Sequence, residues 1–249
     1  MFVIQFGPAG DGPGSPKEAL RSIDLKIPSR PDAVYDALRT SVVTTELAPG
    51  TMVTETALAL QYGVARPTAK TAIERLVAEG LLTRHAHRAA RVTTLSRHDI
   101  VGVYAARAMI EETALRGLAG TSVVPPAALS AHRELIAAAQ RGDRPSLLRN
   151  DVAFHRALVV GHDSIRLGRM HEIIMGEVEL CIGQLQYRGL ISPTEIASAH
   201  QGILDAVEQG DADAAGALVR LHIKGARDRL LAKYDSDHDH PEITTTQGS

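Results

Sequence analysis

Hydrophobic and polar positions alternate with helical spacing over most of this chain. From about Arg30 to Leu47 the apolar residues Val34, Leu38, Val42 and Leu47 recur at steps close to a helical turn, with Pro31 where a first-turn proline forfeits no hydrogen bond. Pro49-Gly50 reads as a turn. A short helical pattern follows from Glu55 to Gln61, capped by Thr54, with Ala57, Leu58 and Leu60 as its expected buried side. Tyr62-Gly63-Val64 interrupts it. A third pattern runs from about Pro67 to Glu79, turns Ala69, Ala72, Ile73, Leu76 and Val77 inward, and stops at Gly80. Leu81-Leu82-Thr83 and Arg91-Val92-Thr93 then read as strands around a basic loop. Helix, turn, helix and strand pair is the order of a winged helix-turn-helix, the motif that sets a helix into the major groove of double-stranded DNA.

Beyond Val92 the pattern is helical almost to the end. Ser96 caps a helix from about His98 to Ala119, Pro125-Pro126 opens one that runs to about Gln140, and a third follows Gly142-Asp143 to about Val160. A long helix spans Ser164 to about Arg188, with a bend expected near Gly176 or Gly183. Ser192-Pro193-Thr194-Glu195 combines a cap, a first-turn proline and an acid at the third position, and starts the next helix, which ends at Gln209-Gly210. Asp211 caps the last helix, expected to about Lys233. Short connections between helices predict an antiparallel all-α bundle of six to seven helices. The fold class is therefore mainly α. Residues 1–30 are expected to form a flexible extension, 31–95 a winged helix, 96–233 the bundle, and 234–249 a polar disordered tail.

Composition narrows the setting. Among 249 residues, aromatics make up 3% and Trp is absent, so cores must be built from Ala, Leu, Val and Ile, which favours helices. The single Cys181 excludes an internal disulfide framework, and no apolar run is long enough for a membrane span, so a cytoplasmic protein is expected. The net charge of −2 is unevenly spread: between Arg66 and Arg91 six Lys/Arg face only Glu74 and Glu79. A basic footprint on a mildly acidic chain suits a DNA reader joined to a separate sensing half. Arg66, Thr68, Lys70, Thr71 and Arg75 stay on the outer and N-terminal surface of the third pattern, and His85, His87 and Arg88 form the loop tip. Arg and Lys bond guanine edges and Thr a base edge or phosphate. Arg75, nearer the helix middle, reads equally as a solvated surface charge.

Polar groups also interrupt the apolar faces of the bundle. Asp151 and His155 lie four residues apart on one helix face, His200 lies with Ile196, Ile203, Leu204 and Val207, and His222 with Leu218 and Leu221. Ionisable groups on core faces must be paired, solvated or bound to metal. Taken together, one carboxylate and three imidazoles suit a borderline divalent metal such as Zn, Ni, Mn or Fe. Any one of them alone reads better as a satisfied core or surface residue. His171 fits a core position or a support for such a site. His162, at a helix end, fits the helix dipole.

The motifs Leu47-Ala48-Pro49-Gly50, Gly63-Val64-Ala65-Arg66-Pro67-Thr68 and Ala72-Ile73-Glu74-Arg75-Leu76-Val77-Ala78-Glu79-Gly80-Leu81-Leu82 resemble the DNA-binding domain of GntR-family bacterial transcription regulators. Ala65 departs from the usual Ser or Thr, Lys70 from the usual Arg, and Ala89-Ala90 from the common glycine of the wing. Residues from about Arg97 to Leu231 resemble the FCD ligand-binding domain, through Asn150-Asp151-Val152-Ala153-Phe154-His155, Ala199-His200-Gln201 and Leu221-His222-Ile223. This places the chain in the FadR-like branch. The resemblance implies a metal-bearing pocket for a small organic acid, with Asp151, His155, His200 and His222 as ligands. A homodimer on a near-palindromic operator is expected, since paired winged helices read two half-sites; a repressor is expected, with activation the open alternative. Arg107, in Arg107-Ala108-Met109-Ile110-Glu111, either meets the effector carboxylate or pairs with Glu111. Two other readings remain open: a metal-dependent enzyme using the same four residues, and a regulator whose metal is purely structural.

Overall fold

A computed structural model describes residues 30–86 and 88–239. The N-terminal half holds α1 (Arg30–Val43), β1 (Met52–Val53), α2 (Glu55–Tyr62), α3 (Arg66–Ala78), β2 (Leu82–Thr83) and β3 (Ala90–Val92). The strands form one antiparallel sheet in the order β1-β3-β2, with Met52 opposite Arg91 and Leu82 opposite Val92. The local signals work as expected: the Thr54 hydroxyl accepts from the Ala57 amide, and Gly63 takes the left-handed conformation (φ 62°) that closes α2. Ala69, Ala72, Ile73 and Leu76 bury the inner face of α3.

Three expectations change here. The first helix ends at Val43 instead of reaching Leu47, because Thr45 turns left-handed (φ 62°); Leu47 still meets the core, but from the loop. The inner face of α2 is Leu58 and Ala59, while Leu60 is 85% exposed. Residues 58 and 60 stand about 200° apart on a helix and cannot share a face. The pair Met52-Val53 adds a strand that no alternating pattern announced.

The C-terminal half comprises α4 (Arg97–Thr121), α5 (Pro126–Arg141), α6 (Arg144–Gly161), α7 (Ile165–Tyr187), α8 (Pro193–Glu208) and α9 (Ala212–Asp239). Reciprocal capping boxes, Ser96 with Asp99 and Ser192 with Glu195, start α4 and α8. The main packings are α4 on α9, α5 on α6 and α6 on α7. Among the described residues, no helix is long and apolar enough to cross a membrane. Cys181 is buried and free, and burial pushes its thiol up to about 12, which leaves it an inert packing group.

One more correction concerns the long helices. α7 is one unbroken α-helix through Gly176 and Gly183. Those glycines serve close approach: a Cβ on Gly176 would fall on the Glu79 carbonyl, and one on Gly183 on the Val43 carbonyl. α9 passes the expected stop at Lys233 and continues to Asp239, tethered by Arg97 Nε to Asp235 at 3.1 Å and Arg188 Nη1 to Asp237 at 3.0 Å. The expected extension over residues 1–29, the last residues of the expected tail (240–249) and His87 lie outside the described residues.

Candidate functional site

The four expected ligands converge inside the bundle. α6 supplies Asp151 and His155, α8 His200, and α9 His222. Ligand atoms of His155, His200 and His222 all lie within 4.8 Å of one another. Asp151 Oδ1 stands 3.6 Å from His155 Nε2 and 3.4 Å from His200 Nε2. Asp151, His155 and His200 are buried. His222 is partly open and lines a groove of about 620 Å³ between α8 and α9.

The unused valences of this cluster are its most informative feature. Asp151 Oδ1, His155 Nε2 and both nitrogens of His200 are buried without a hydrogen-bond partner. Leaving a buried polar atom unpaired costs about 1–3 kcal/mol, so three such residues facing one point call for a shared partner. A divalent metal would take Asp151 Oδ1, His155 Nε2 and one nitrogen of His200, and one carboxylate with three imidazoles is the donor set for a borderline ion. Burial, reinforced by repulsion from His155, holds the His200 imidazole well below its usual range, so it is neutral and its lone pair is free to ligate.

A second set of residues aims these ligands. His155 Nδ1 lies 2.7 Å from Glu111 Oε2, which puts the proton on Nδ1 and leaves Nε2 as the lone-pair nitrogen. Gln186 Nε2 donates to Asp151 Oδ2 at 2.6 Å, so that oxygen is occupied and Oδ1 is free. Glu111 also takes Arg107 Nε at 2.7 Å and stands 3.3 Å from His171 Nε2. Burial opposes charge on Glu111, yet Arg107 and the His155 and His171 contacts hold its carboxyl well below the usual carboxylate range. The Arg107–Glu111 pair therefore exists, but it does not exhaust the arginine: Arg107 Nη2 is buried without a partner. Burial raises Asp151. A small cavity of about 20 Å³, with Arg107, Asp151, Gln186 and His222 among Ile182, Leu185 and Ile196, adjoins the cluster. That is room for about one water.

Sequence reasoning missed Gln186 as the partner of Asp151 and read Glu111 only as a mate for Arg107. It also passed over His132, buried with its ring 6.0 Å from that of His200 and its Nε2 3.2 Å from Gln201. His162 stands apart, capping α6 with its ring against Gly117.

At the other end of the molecule, Arg66, Lys70, Thr71, His85 and Arg88 are exposed and Thr68 is half-buried. Arg66 Nη2 donates to Thr56 Oγ1 at 2.6 Å, and Lys70 lies 3.7 Å from Glu74. Arg75 is engaged by α1 instead: Nη1 bonds Asp32 at 2.8 Å and its guanidinium sits 3.7 Å over the Tyr35 ring.

Comparison with known proteins adds to this geometry. Residues 31–92 match the family described as "Bacterial regulatory proteins, gntR family", and residues 102–225 match the FCD domain. A Streptomyces ambofaciens protein, described as an uncharacterized HTH-type transcriptional regulator in an unstable DNA locus, is 28% identical over 205 residues, covering 79% of this chain and 83% of that one. A Paenarthrobacter nicotinovorans protein, described as a probable D-xylose utilization operon transcriptional repressor, is 27% identical over 76% of this chain and 84% of its own. The solved structure of a transcriptional regulator of the GntR type from Rhodococcus sp. RHA1 has the same fold, with a TM-score of 0.70, 21% identity and coverage of 82% of this chain and 99% of that one. E. coli McbR/YncC gives a TM-score of 0.66 at 19% identity, covering 83% and 99%.

Proposed function

Because the chain belongs to the GntR family of bacterial regulatory proteins, in the FadR-like branch with an FCD domain, we propose that this transcriptional regulator is a metal-dependent repressor released by a small organic acid. The observation that carries the sensor half is the convergence of Asp151 Oδ1, His155 Nε2 and His200 Nε2, all buried and unpartnered, beside His222. These four residues would hold a divalent ion such as Zn, Ni, Mn or Fe, which supplies a Lewis-acid anchor for a carboxylate oxygen. Arg107 Nη2, with no protein partner, supplies the complementary donor, and Ile182, Leu185 and Ile196 surround the short carbon body of the acid. The groove along His222 is the approach. The cavity beside Arg107 has room for about one water, so an acid that reaches it must widen it, and effector binding then selects a different bundle geometry.

The DNA-reading set is Arg66, Thr68, Lys70 and Thr71 on α3 with the wing residues His85, His87 and Arg88. Arg75 belongs to bracing α3 against α1, given its Asp32 and Tyr35 contacts. The protein acts as a homodimer, each protomer taking one half of a near-palindromic operator. The Paenarthrobacter relative, described as a probable repressor, supports the sign of the response.

The test is a pair of measurements on purified protein. Metal analysis combined with a carboxylate panel in a thermal-shift assay should find one divalent ion per protomer and a stabilising acid. Fluorescence anisotropy on the gene's own upstream DNA should find salt-dependent, sequence-selective binding that this acid weakens. Metal-free protein that still responds to the acid overturns the anchor. Binding indifferent to sequence overturns the repressor.

A further inference from the structure

The DNA-binding half rests on the effector half through an interface that is only partly filled. A cavity of about 480 Å³ lies between them, lined by α1, the end of α3, α6 and α7. Apolar packing continues from one half into the other, and beside it stand two glycine approaches, Gly176 to Glu79 and Gly183 to Val43, and one charged cluster. Its centre is Glu179 on α7, 2% exposed. One carboxylate oxygen accepts from Arg39 of α1. The other lies 3.3 Å from Arg156 Nη1 of α6, without a hydrogen bond. Arg156 is shared: its Nε and Nη2 hold Glu172 at 2.9 and 3.1 Å. Arg39 Nε also approaches Glu79 at 3.6 Å, and Glu79 takes the Tyr35 hydroxyl at 2.7 Å.

This cluster lies on the same seam as the metal site. Arg156 follows His155 directly on α6. On α7, Glu179 precedes Gln186, the residue that holds Asp151, by seven positions, two helical turns that return to the same face within about 20°. The α6–α7 seam is thus pinned at one end by Asp151–Gln186 and at the other by Arg156–Glu179. The second pin alone continues into the DNA-binding half, through Arg39. We propose that Glu179 is the pin that fixes the winged helix against the bundle, and that the state of the metal site reaches it along the α6–α7 seam. This inference rests on the metal reading above. A shift of α6 that re-aims His155 re-aims Arg156 by the same motion, and Glu179 is left to Arg39 alone or released from it. Buried ion pairs add little net stability because desolvation offsets attraction, but they select one relative orientation, which is the quantity a regulator needs to change.

The experiment is hydrogen exchange on the full-length protein, with zinc bound and after chelation, read at α1 and at the connecting residues 93–96. In the wild type, chelation should speed exchange there. Arg39→Ala, at a partly exposed position, should speed it about tenfold with zinc bound, the size of one charge-assisted hydrogen bond, and chelation should then add little further. Its zinc uptake should equal that of the wild type. Glu179→Gln, which keeps shape and removes charge, should act in the same direction. Unchanged exchange in Arg39→Ala overturns the pin. Faster exchange in Arg39→Ala with none in Glu179→Gln also overturns it, since Arg39 then acts through Glu79. A wild type that binds zinc without any change at α1 overturns the relay. A wild type that takes up none of Zn, Ni, Mn and Fe fails the metal reading and the relay with it, while the pin is still judged by Arg39→Ala.

Discussion

Single atoms decide what chemistry is open to the buried cluster of Asp151, His155 and His200. Asp151 presents Oδ1 to the cluster because Gln186 occupies Oδ2, and His155 presents Nε2 because Glu111 occupies Nδ1. Residues that aim a ligand typically change metal affinity about 10–100-fold when removed. Gln186→Leu should therefore weaken zinc binding by about that factor in a chelator-competition titration, while His200→Ala, which deletes a ligand, should weaken it further. A Gln186→Leu protein with wild-type affinity would mean that Asp151 needs no help. The same atom-level reading separates two arginines of α3. Arg66 is exposed at the helix start, whereas Arg75 is tied to Asp32 and stacked on Tyr35. Arg66→Ala should lower operator affinity and reduce the slope of log affinity against log salt by about 1 if it neutralises one phosphate. Arg75→Ala should leave that slope alone and lower stability by about 1 kcal/mol, chiefly from the lost cation–π contact.

Elements carry signals of unequal legibility. Caps and periodicity are local, so Thr54, Ser96 and Ser192 announced three helix starts, and the i,i+4 spacing of Asp151 and His155 announced a shared face. What the sequence withheld is tertiary. Gly176 and Gly183 look like places for a bend, and only the nearness of the Glu79 and Val43 carbonyls reveals why they are glycines in an unbroken helix. The Gln186–Asp151 contact spans 35 positions and His155–Glu111 spans 44, distances over which no spacing rule operates. The end of α1 was misjudged because Leu47 continues the apolar rhythm from a loop. α7 also yields a pH prediction. Burial holds the Glu179 carboxyl above the usual carboxylate range; Arg39 and Arg156 pull it down, and Glu79 and Glu172 push it up. The folded chain then binds that proton more tightly than the unfolded chain. The contribution of Glu179 to stability therefore falls as pH rises from the ordinary glutamate value of about 4.3 through the raised folded value, and is level above it. Relative to Glu179→Gln, which does not titrate, the wild type should lose stability across that window in denaturant titrations. A difference between the two proteins that does not vary with pH would mean that Glu179 titrates like an exposed acid.

At the scale of the whole molecule, the winged helix offers few base-reading charges. Arg66 and Lys70 are its principal cations at the helix start, and Lys70 is already near Glu74. One protomer so equipped binds weakly, and a dimer gains by making the second contact intramolecular, typically by about two to four orders of magnitude when the geometry permits both at once. The gain is largest when each winged helix is held on its bundle in an orientation that matches the two half-sites. In this protein that orientation depends on two glycine contacts and on the Arg39–Glu179–Arg156 cluster beside a cavity of about 480 Å³. Two consequences follow for DNA measured at constant salt. A full near-palindrome should bind at least about a hundredfold more tightly than one half-site, with two protomers per duplex in sedimentation analysis. Operators whose half-sites are moved apart by single base pairs should lose affinity sharply in the wild type, since each step also rotates one site by about a tenth of a helical turn. Arg39→Ala should flatten that dependence, because a loosely held winged helix adapts to the wrong spacing while gaining less from the right one. If both proteins show the same sharp optimum, orientation is set by the glycine contacts alone and the charged cluster has no part in operator choice.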